Sequence, residues 1–317
     1  MRRVVRADAG RIFALAALVL FGTAAVVHAE TLVPADTSLA AQQDAQQAIP
    51  LDSLSPEAQQ TIWDVASRPT IFRRLPTERV ACDPDMYRTL VRNPELIINI
   101  WQMMGVTDIS MVRTGAYAFD SDDKAGTTSQ IELLYGDDNL HIFYATCRYD
   151  GTLLARPVNS RVVLVLRSSF AQAPDGSSLV TSTMDAFIRI DHLTANLVAR
   201  TLTPMIGRTA DHNFGESFRF VARVNATAEE NSPGLQQLAQ RLTQVQPAVR
   251  AQLAEAAGLV EQRHAARQSA ASPTIILGQD TPPAAQPEEF SPAQQAPPQD
   301  ENVSGRPAPG RTITLRR

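Results

Sequence analysis

The middle of the chain, from Ile109 to Ile190, contains short runs in which apolar residues alternate with polar ones. A period of two is typical of a β-strand with one buried face. It is clearest in Leu179–Ile190, where one face is predicted to face the core: Val180, Met184, Ala186, Ile188 and Ile190. The residues predicted for the opposite, outer face are Thr181, Thr183, Asp185 and Arg189.

Turn sequences separate these runs. Gly136-Asp137-Asp138-Asn139 joins the runs Ser129–Tyr135 and Leu140–Tyr149, which predicts a β-hairpin. Further turns at Asp150-Gly151 and Pro174-Asp175-Gly176 flank a strand over Arg161–Phe170. The sequence therefore predicts five antiparallel strands in succession.

Helical patterns precede the strands. Ser55-Pro56-Glu57 predicts the start of a helix over 55–67, with Ser55 as its N-cap and Pro56 in its first turn. A mixed segment, Thr70–Ala81, is predicted to be a strand that is either at a sheet edge or bulged, because it contains Pro76. The next helix, Asp85–Met104, should be broken by Pro94.

A long helical pattern follows the strands, with a kink expected at Pro204. Strands bounded by helices predict an α+β fold and exclude a parallel doubly wound sheet. This order, over roughly Pro69 to Glu229, resembles the helix-grip fold of the START-like, polyketide-cyclase-like (SRPBCC) superfamily. The resemblance implies a curved antiparallel sheet that grips a long C-terminal helix and encloses an apolar cavity. Six predicted strands and the central proline depart from that pattern.

The two chain ends predict export and a tail. Four arginines, an apolar run from Ile12 to Val27 and Val27-His28-Ala29 are typical of a secretory signal peptide over residues 1–29. An uncleaved membrane anchor is the alternative, but the run is short for a span. The exported bacterial protein would be periplasmic or extracellular, with no transmembrane span after cleavage. Composition predicts a linker over 30–50 and a disordered Pro/Gln-rich tail over 269–317.

Between the α+β domain, placed at 51–230, and the tail lies a helical extension over 231–268. Its apolar residues recur at spacings of three and four, which is a heptad seam interrupted by Pro247. The seam consists of Leu235, Leu238, Leu242, Val245 and Val249. It is predicted either to pack on the domain or to bind a partner as a helix.

Several classes of function find no support in the sequence. The net charge is −4 and the sequence pI is 5.8, which argues against nucleic-acid binding. No phosphate loop, dinucleotide fingerprint or nucleophile elbow is present, and no cofactor is predicted. The histidines do not occur at metal-ligand spacings, so no metal site is predicted.

Candidate site residues come from the inward face of the predicted sheet. That face carries Met111, Arg113, Tyr117, Phe119, Ile131, Leu133, Tyr135, His141, Phe143, Leu164, Leu166, Met184 and Ile188. The predicted ligand-binding residues among them are Arg113, Tyr117, Leu133, His141, Phe143, Leu164 and Met184. An apolar cavity with one or two polar groups is how small-ligand sites are built. Arg113 could hold a ligand carboxylate or phosphate, or it could pair with Glu132 across the sheet.

Cys82 and Cys147 are the only cysteines, and in an exported chain two cysteines indicate one disulfide. Two buried free thiols are the alternative.

The preferred function is non-catalytic binding of a lipid or other hydrophobic ligand. A cell-envelope interaction protein acting through residues 233–317 is the second hypothesis. A cyclase- or hydratase-like enzyme, with His141 as base and Arg113 as anion holder, is the least supported.

Overall fold

The computed structural model describes residues 29–152, 156–191 and 203–271. The predicted tail from residue 272 onward and the predicted signal peptide, apart from Ala29, lie outside the described residues. All of the described residues belong to one compact unit.

Nine antiparallel strands of the described residues form one open sheet in the order β1-β3-β9-β8-β7-β6-β5-β4, and β2 also pairs with β9. The strands are β1 (Glu30–Val33), β2 (Ile71–Arg74), β3 (Thr77–Ala81), β4 (Ser110–Arg113), β5 (Ala118–Asp122), β6 (Thr127–Gly136), β7 (Leu140–Tyr149), β8 (Val158–Gln172) and β9 (Ser178–Ile190). The predicted strand Thr70–Ala81 is two strands because Leu75 and Pro76 interrupt it.

Six helices accompany the sheet within the described part of the chain. They are α1 (Leu39–Gln47), α2 (Pro56–Ala66), α3 (Pro84–Arg92), α4 (Pro94–Met103), α5 (Thr203–Arg241) and α6 (Pro247–Ala271). A 3₁₀ turn, Leu51–Ser53, connects α1 to α2.

The local signals for these helices are confirmed. The Ser55 side chain accepts a hydrogen bond from Ala58 N at the start of α2, and Pro94 separates α3 from α4. After α4, Gly105 adopts a φ of +69°, which favours glycine because it has no Cβ. The kink predicted at Pro204 stays a prediction, because the residues before Thr203 lie outside the described residues. Within its described part, α5 is kinked at Asn231, where φ is −152° and ψ is 60°.

Helices pack against both faces of the sheet. Face A, which carries Leu166 and Val180, packs against α3, α4, α5 and α6 in the main hydrophobic cluster. Face B, which carries Val165 and Phe187, packs against α1 and α2 in a second cluster. Burial of both faces makes β9 a fully internal strand, with Val180 and Phe187 both at 0% exposure.

The predicted linker, residues 30–50, contains β1 and α1. The sequence pattern explains why a helix forms here. Ser38 caps α1. Apolar residues recur every four positions on the buried side of the segment, at Ala41, Ala45 and Ile49. Because α1 lies over face B, the prediction that Asp185 faces solvent is wrong. Its side chain is 0% exposed and is bonded to Arg74 of β2.

The heptad seam of the helical extension packs on the domain. Leu235, Leu242, Val245 and Val249 are all at most 5% exposed and belong to the face A cluster, and Leu238 packs against it. The seam is therefore buried within the chain, as the first of the two sequence alternatives predicted.

The α+β class is confirmed. An open antiparallel sheet carries a long C-terminal helix on one face, which is a helix-grip-like arrangement with extra helices. Within the described ranges, no helix is both long and apolar enough to cross a bilayer.

Candidate functional site

A row of predicted site residues runs across face A. Leu133 of β6 lies opposite Phe143 of β7, Phe143 lies opposite Leu164 of β8, and Leu164 lies opposite Ala186 of β9. Directly opposite residues in an antiparallel pair share a face. The row continues past β6 because Leu133 N donates to Tyr117 O at 3.0 Å.

Two neighbouring rows place the remaining predicted residues. His141 lies opposite Leu166, which lies opposite Met184. On the other side, Arg113 of β4 lies opposite Phe119 of β5, which lies opposite Ile131. The structure therefore brings the strand residues of the predicted site to one face of the sheet, with Tyr117 in the turn between β4 and β5.

Five apolar residues of this face do not belong to the hydrophobic clusters that the described residues form. None of the three hydrophobic clusters formed by the described residues includes Ile131, Leu133, Phe143, Leu164 or Ala186. Phe143 is 9% exposed and Ala186 is 7% exposed, and the other three are half-buried. We call these five residues the apolar strip.

Tyr135 departs from the predicted face. The register of β6 against β7 shifts between Leu133 and Tyr135, which is a β-bulge. A bulge inserts one extra residue, so the side chains beyond it change faces. Tyr135 consequently packs with the α1–α2 cluster on face B.

Arg113 is engaged by protein groups. Its Nε donates to Glu95 Oε1 at 2.7 Å, its Nη2 donates to Asn93 Oδ1 at 2.6 Å, and its Nη1 donates to Ala116 O. The guanidinium also lies 4.6 Å from the centre of the Phe119 ring. The predicted cross-strand pairing of Arg113 with Glu132 is wrong, because Glu95 of α4 is the carboxylate partner.

His141 is fully buried and makes one hydrogen bond, in which its Nε2 accepts from Arg92 Nε at 3.1 Å. Because arginine can only donate, the neutral ring must carry its proton on Nδ1, which has no hydrogen-bond partner among the described residues. Burial and the positive charge of Arg92 lower the pKa of His141 to about 4. A neutral imidazole whose Nε2 is occupied is not an available base.

The low pKa of His141 predicts how stability depends on pH. Because the folded-state pKa is about 4 and the ordinary value is 6.5, the unfolded chain binds this proton more readily. The contribution of His141 to stability is therefore present above about pH 6.5 and is lost as the pH falls towards 4. NMR titration of the ring signals of His141, assigned with His141→Gln, should give a midpoint near pH 4. A midpoint near the ordinary value would contradict this environment.

A crevice of about 470 Å³ lies beside these residues and was not predicted as a site. We call it the Arg92 crevice. Its lining includes Arg88, Arg92 and Asn93 from the α3–α4 corner, Tyr117 from the β4–β5 turn and Gln252 from α6. The sequence did carry a signal: Asp85, Arg88, Thr89 and Arg92 recur at the helical spacing of one face of α3.

A larger groove of about 640 Å³ lies over β4 to β8, and most of its lining residues have polar side chains. The lining includes Asp120, Gln130, Thr146, Arg148 and Arg161. Charged and hydroxyl side chains on the uncovered part of an antiparallel sheet are expected of a solvated face. No group of three metal-ligating side chains occurs in the described ranges.

The predicted disulfide is wrong. Cys82 and Cys147 are free thiols. Cys82 N donates a hydrogen bond to Ser178 O, and Ser178 lies opposite Gln172 of β8. Cys147 lies opposite Ser160 of the same strand. These two positions on β8 are about 40 Å apart along the strand. A disulfide requires Cα atoms within about 7 Å of each other.

This separation predicts the thiol chemistry. The intact mass should not change on reduction, and two thiols should react after unfolding. In the folded protein Cys82 should be unreactive because it is 1% exposed and burial raises the pKa of its thiol. Thiol titration with and without denaturant, repeated on Cys82→Ala, measures this. A Cys82 thiol that reacts at the unfolded rate would contradict it.

Comparisons with known proteins concern the fold. No family model matches the sequence, and no curated protein matches it. Among solved structures, that of Ara h 8.0201 is 9% identical over 47% of this chain and 97% of its own, with a TM-score of 0.28. That of BexL, the di-domain ARO/CYC from the BE-7585A biosynthetic pathway, is 13% identical over 69% of this chain and 58% of its own, with a TM-score of 0.23. Both similarities have low sequence identity and a low TM-score.

Proposed function

We propose that this chain is an exported protein that binds a lipid or other hydrophobic ligand, without catalysis, along the apolar strip of face A. The observation that supports the proposal is the continuous row Leu133–Phe143–Leu164–Ala186. This apolar surface belongs to none of the packed clusters of the described residues. Apolar surface bordered by a few placed polar groups is the composition of a small-ligand site.

The polar groups near the strip support binding in preference to catalysis. Arg113, proposed as an anion holder for an enzyme, is held by Glu95 and Asn93. His141, proposed as the base, is neutral and its Nε2 is occupied by Arg92. A general base needs a free nitrogen within hydrogen-bond reach of the substrate proton.

Partner binding through the helical extension has less support. The seam residues that would contact a partner helix are buried in the face A cluster. A partner would therefore have to bind other surfaces, such as the tail beyond residue 271.

A substitution within the strip tests the proposal. Leu133→Trp adds bulk where a ligand chain would lie, and we expect it to weaken binding of an apolar fluorescent probe about ten-fold. The matched control is Val112→Trp, because Val112 is 47% exposed and points away from face A. Fluorescence titration of the full chain measures both affinities. Absence of saturable probe binding by the unmodified protein, or equal affinities for the unmodified protein and Leu133→Trp, would contradict the proposal.

A further inference from the structure

The Arg92 crevice has three walls of different chemistry. One wall is α3 and the α3–α4 corner, with Arg88, Thr89 and Arg92. The second is α6, which contributes both apolar and polar groups, including Val249 and Gln252. The third is the β4–β5 turn, where Tyr117 is 51% exposed. The crevice is thus large enough for a charged group with several atoms and is accessible to solvent.

The three arginines of the crevice differ in how their charges are balanced. Arg88 lies 2.8 Å from the Asp85 carboxylate, and Arg113 lies 2.7 Å from that of Glu95. Arg92 instead donates to His141 Nε2 at 3.1 Å and to Asp137 O at 2.9 Å, which are both neutral acceptors. No carboxylate of the described residues forms an ion pair with Arg92 within 4.0 Å. Its charge is therefore the least neutralised of the three.

The contacts of Arg92 also fix its orientation. Its partner His141 is 0% exposed, and Gly136 leaves room for the ring, since a Cβ at Gly136 would lie 3.1 Å from His141 Cδ2. A guanidinium has five N–H donors, and these two contacts use two of them. The remaining donors are available for an oxyanion, and an arginine held in place loses less entropy when it binds one.

The crevice adjoins the apolar strip through two residues. Tyr117 lines the crevice, and its carbonyl is bonded to Leu133, the first residue of the apolar row. Arg113 also lines the crevice and lies over Phe119, which is opposite Ile131 of the strip. A ligand chain on the strip would therefore end beside the crevice.

We propose that the Arg92 crevice binds the oxyanion of an amphiphile, a carboxylate or a phosphate, whose apolar part lies on the strip. This inference rests on the proposed function and assigns the chemical class of the ligand. Arg92 is the binding residue, His141 is the positioning residue that holds its guanidinium, and Tyr117 stands at the junction of the two regions. Charge-assisted hydrogen bonds from arginine to such oxyanions are among the strong ones.

The test uses three probes that share one alkyl chain: dodecanoic acid, dodecyl phosphate and dodecanol. The full chain is expected to bind the two anions about ten-fold more tightly than the alcohol. Arg92→Gln should lower the affinity for the two anions to about that for the alcohol. Arg148→Gln is the matched control, because Arg148 is an exposed arginine on face B with an exposed partner, Asp150. The anion that binds more tightly distinguishes a fatty-acid ligand from a phosphorylated one.

A second measurement does not depend on the folding of a variant. The preference of the unmodified protein for the anions over dodecanol should decrease as the salt concentration rises, because salt screens an exposed charge. Equal binding of all three probes, or a preference that neither salt nor Arg92→Gln reduces, would overturn the inference and leave the proposed function standing. If none of the three probes binds to the unmodified chain, the proposed function itself fails.

Discussion

Replacing Asp185 by asparagine is expected to lower the free energy of unfolding by about 3 kcal/mol. Asp185 Oδ1 accepts from Arg74 Nε at 2.6 Å, and Oδ2 accepts from Arg167 Nη2 at 2.8 Å. Both arginines also contact Asp44 of α1. The four side chains form a neutral cluster that joins α1 to β2, β8 and β9. Loss of the buried carboxylate leaves two arginines to share one exposed carboxylate.

Urea denaturation of the full chain measures this effect. Asp150→Asn is the matched control, because Asp150 pairs with Arg148 on the surface and both side chains are more than half exposed. Exposed pairs of this kind contribute about 0–1 kcal/mol. A loss for Asp185→Asn as small as that of the control would show that face B is not closed by α1 as described.

Replacing Arg113 by methionine is expected to cost about 3–5 kcal/mol, because it leaves a buried carboxylate without its partner. The Glu95 side chain is 2% exposed, and Arg113 Nε supplies its hydrogen bond. Glu95 Oε2 already has no partner among the described residues, so nothing nearby replaces the lost arginine. This would define Arg113 as a structural residue of the α4–β4 junction.

A double-mutant cycle separates this role from ligand binding. Glu95→Gln combined with Arg113→Met should be more stable than Arg113→Met alone, because the unpaired charge has been removed. The measurement is the unfolding free energy of the four proteins. Stability unchanged in Arg113→Met, together with a lost affinity for the anionic probes, would instead make Arg113 the anion-binding residue of the sequence-based hypothesis.

The strand pattern could be predicted because its determinants are local. Alternation and turn residues identified the core of each strand from Ser129 to Ile190, and residues such as Leu133, Phe143 and Leu164 were placed on a common face. Two features departed from this pattern. The bulge that turns Tyr135 to face B has no distinct residue signature, and α1 buries Asp185 by a contact between segments far apart in sequence.

The polar part of the site could not be predicted, because its contacts join segments that are far apart in sequence. Arg113 and His141 were identified on the correct face, but their partners Glu95 and Arg92 belong to helices whose placement depends on tertiary packing. The two cysteines show most clearly that the sequence alone does not reveal the distance between two side chains. Two cysteines in a chain suggest a bond, and only the register of β3, β9, β8 and β7 shows that they are far apart.

Native mass spectrometry can show directly whether the apolar strip holds a hydrophobic ligand. The full chain is purified from the cells that naturally produce it, its mass is measured under native and denaturing conditions, and the released material is extracted into organic solvent. We expect an added mass in the native spectrum that disappears on denaturation and is recovered as an amphiphile in the extract. A bare polypeptide mass under both conditions, with an extract containing no such compound, would contradict the proposal.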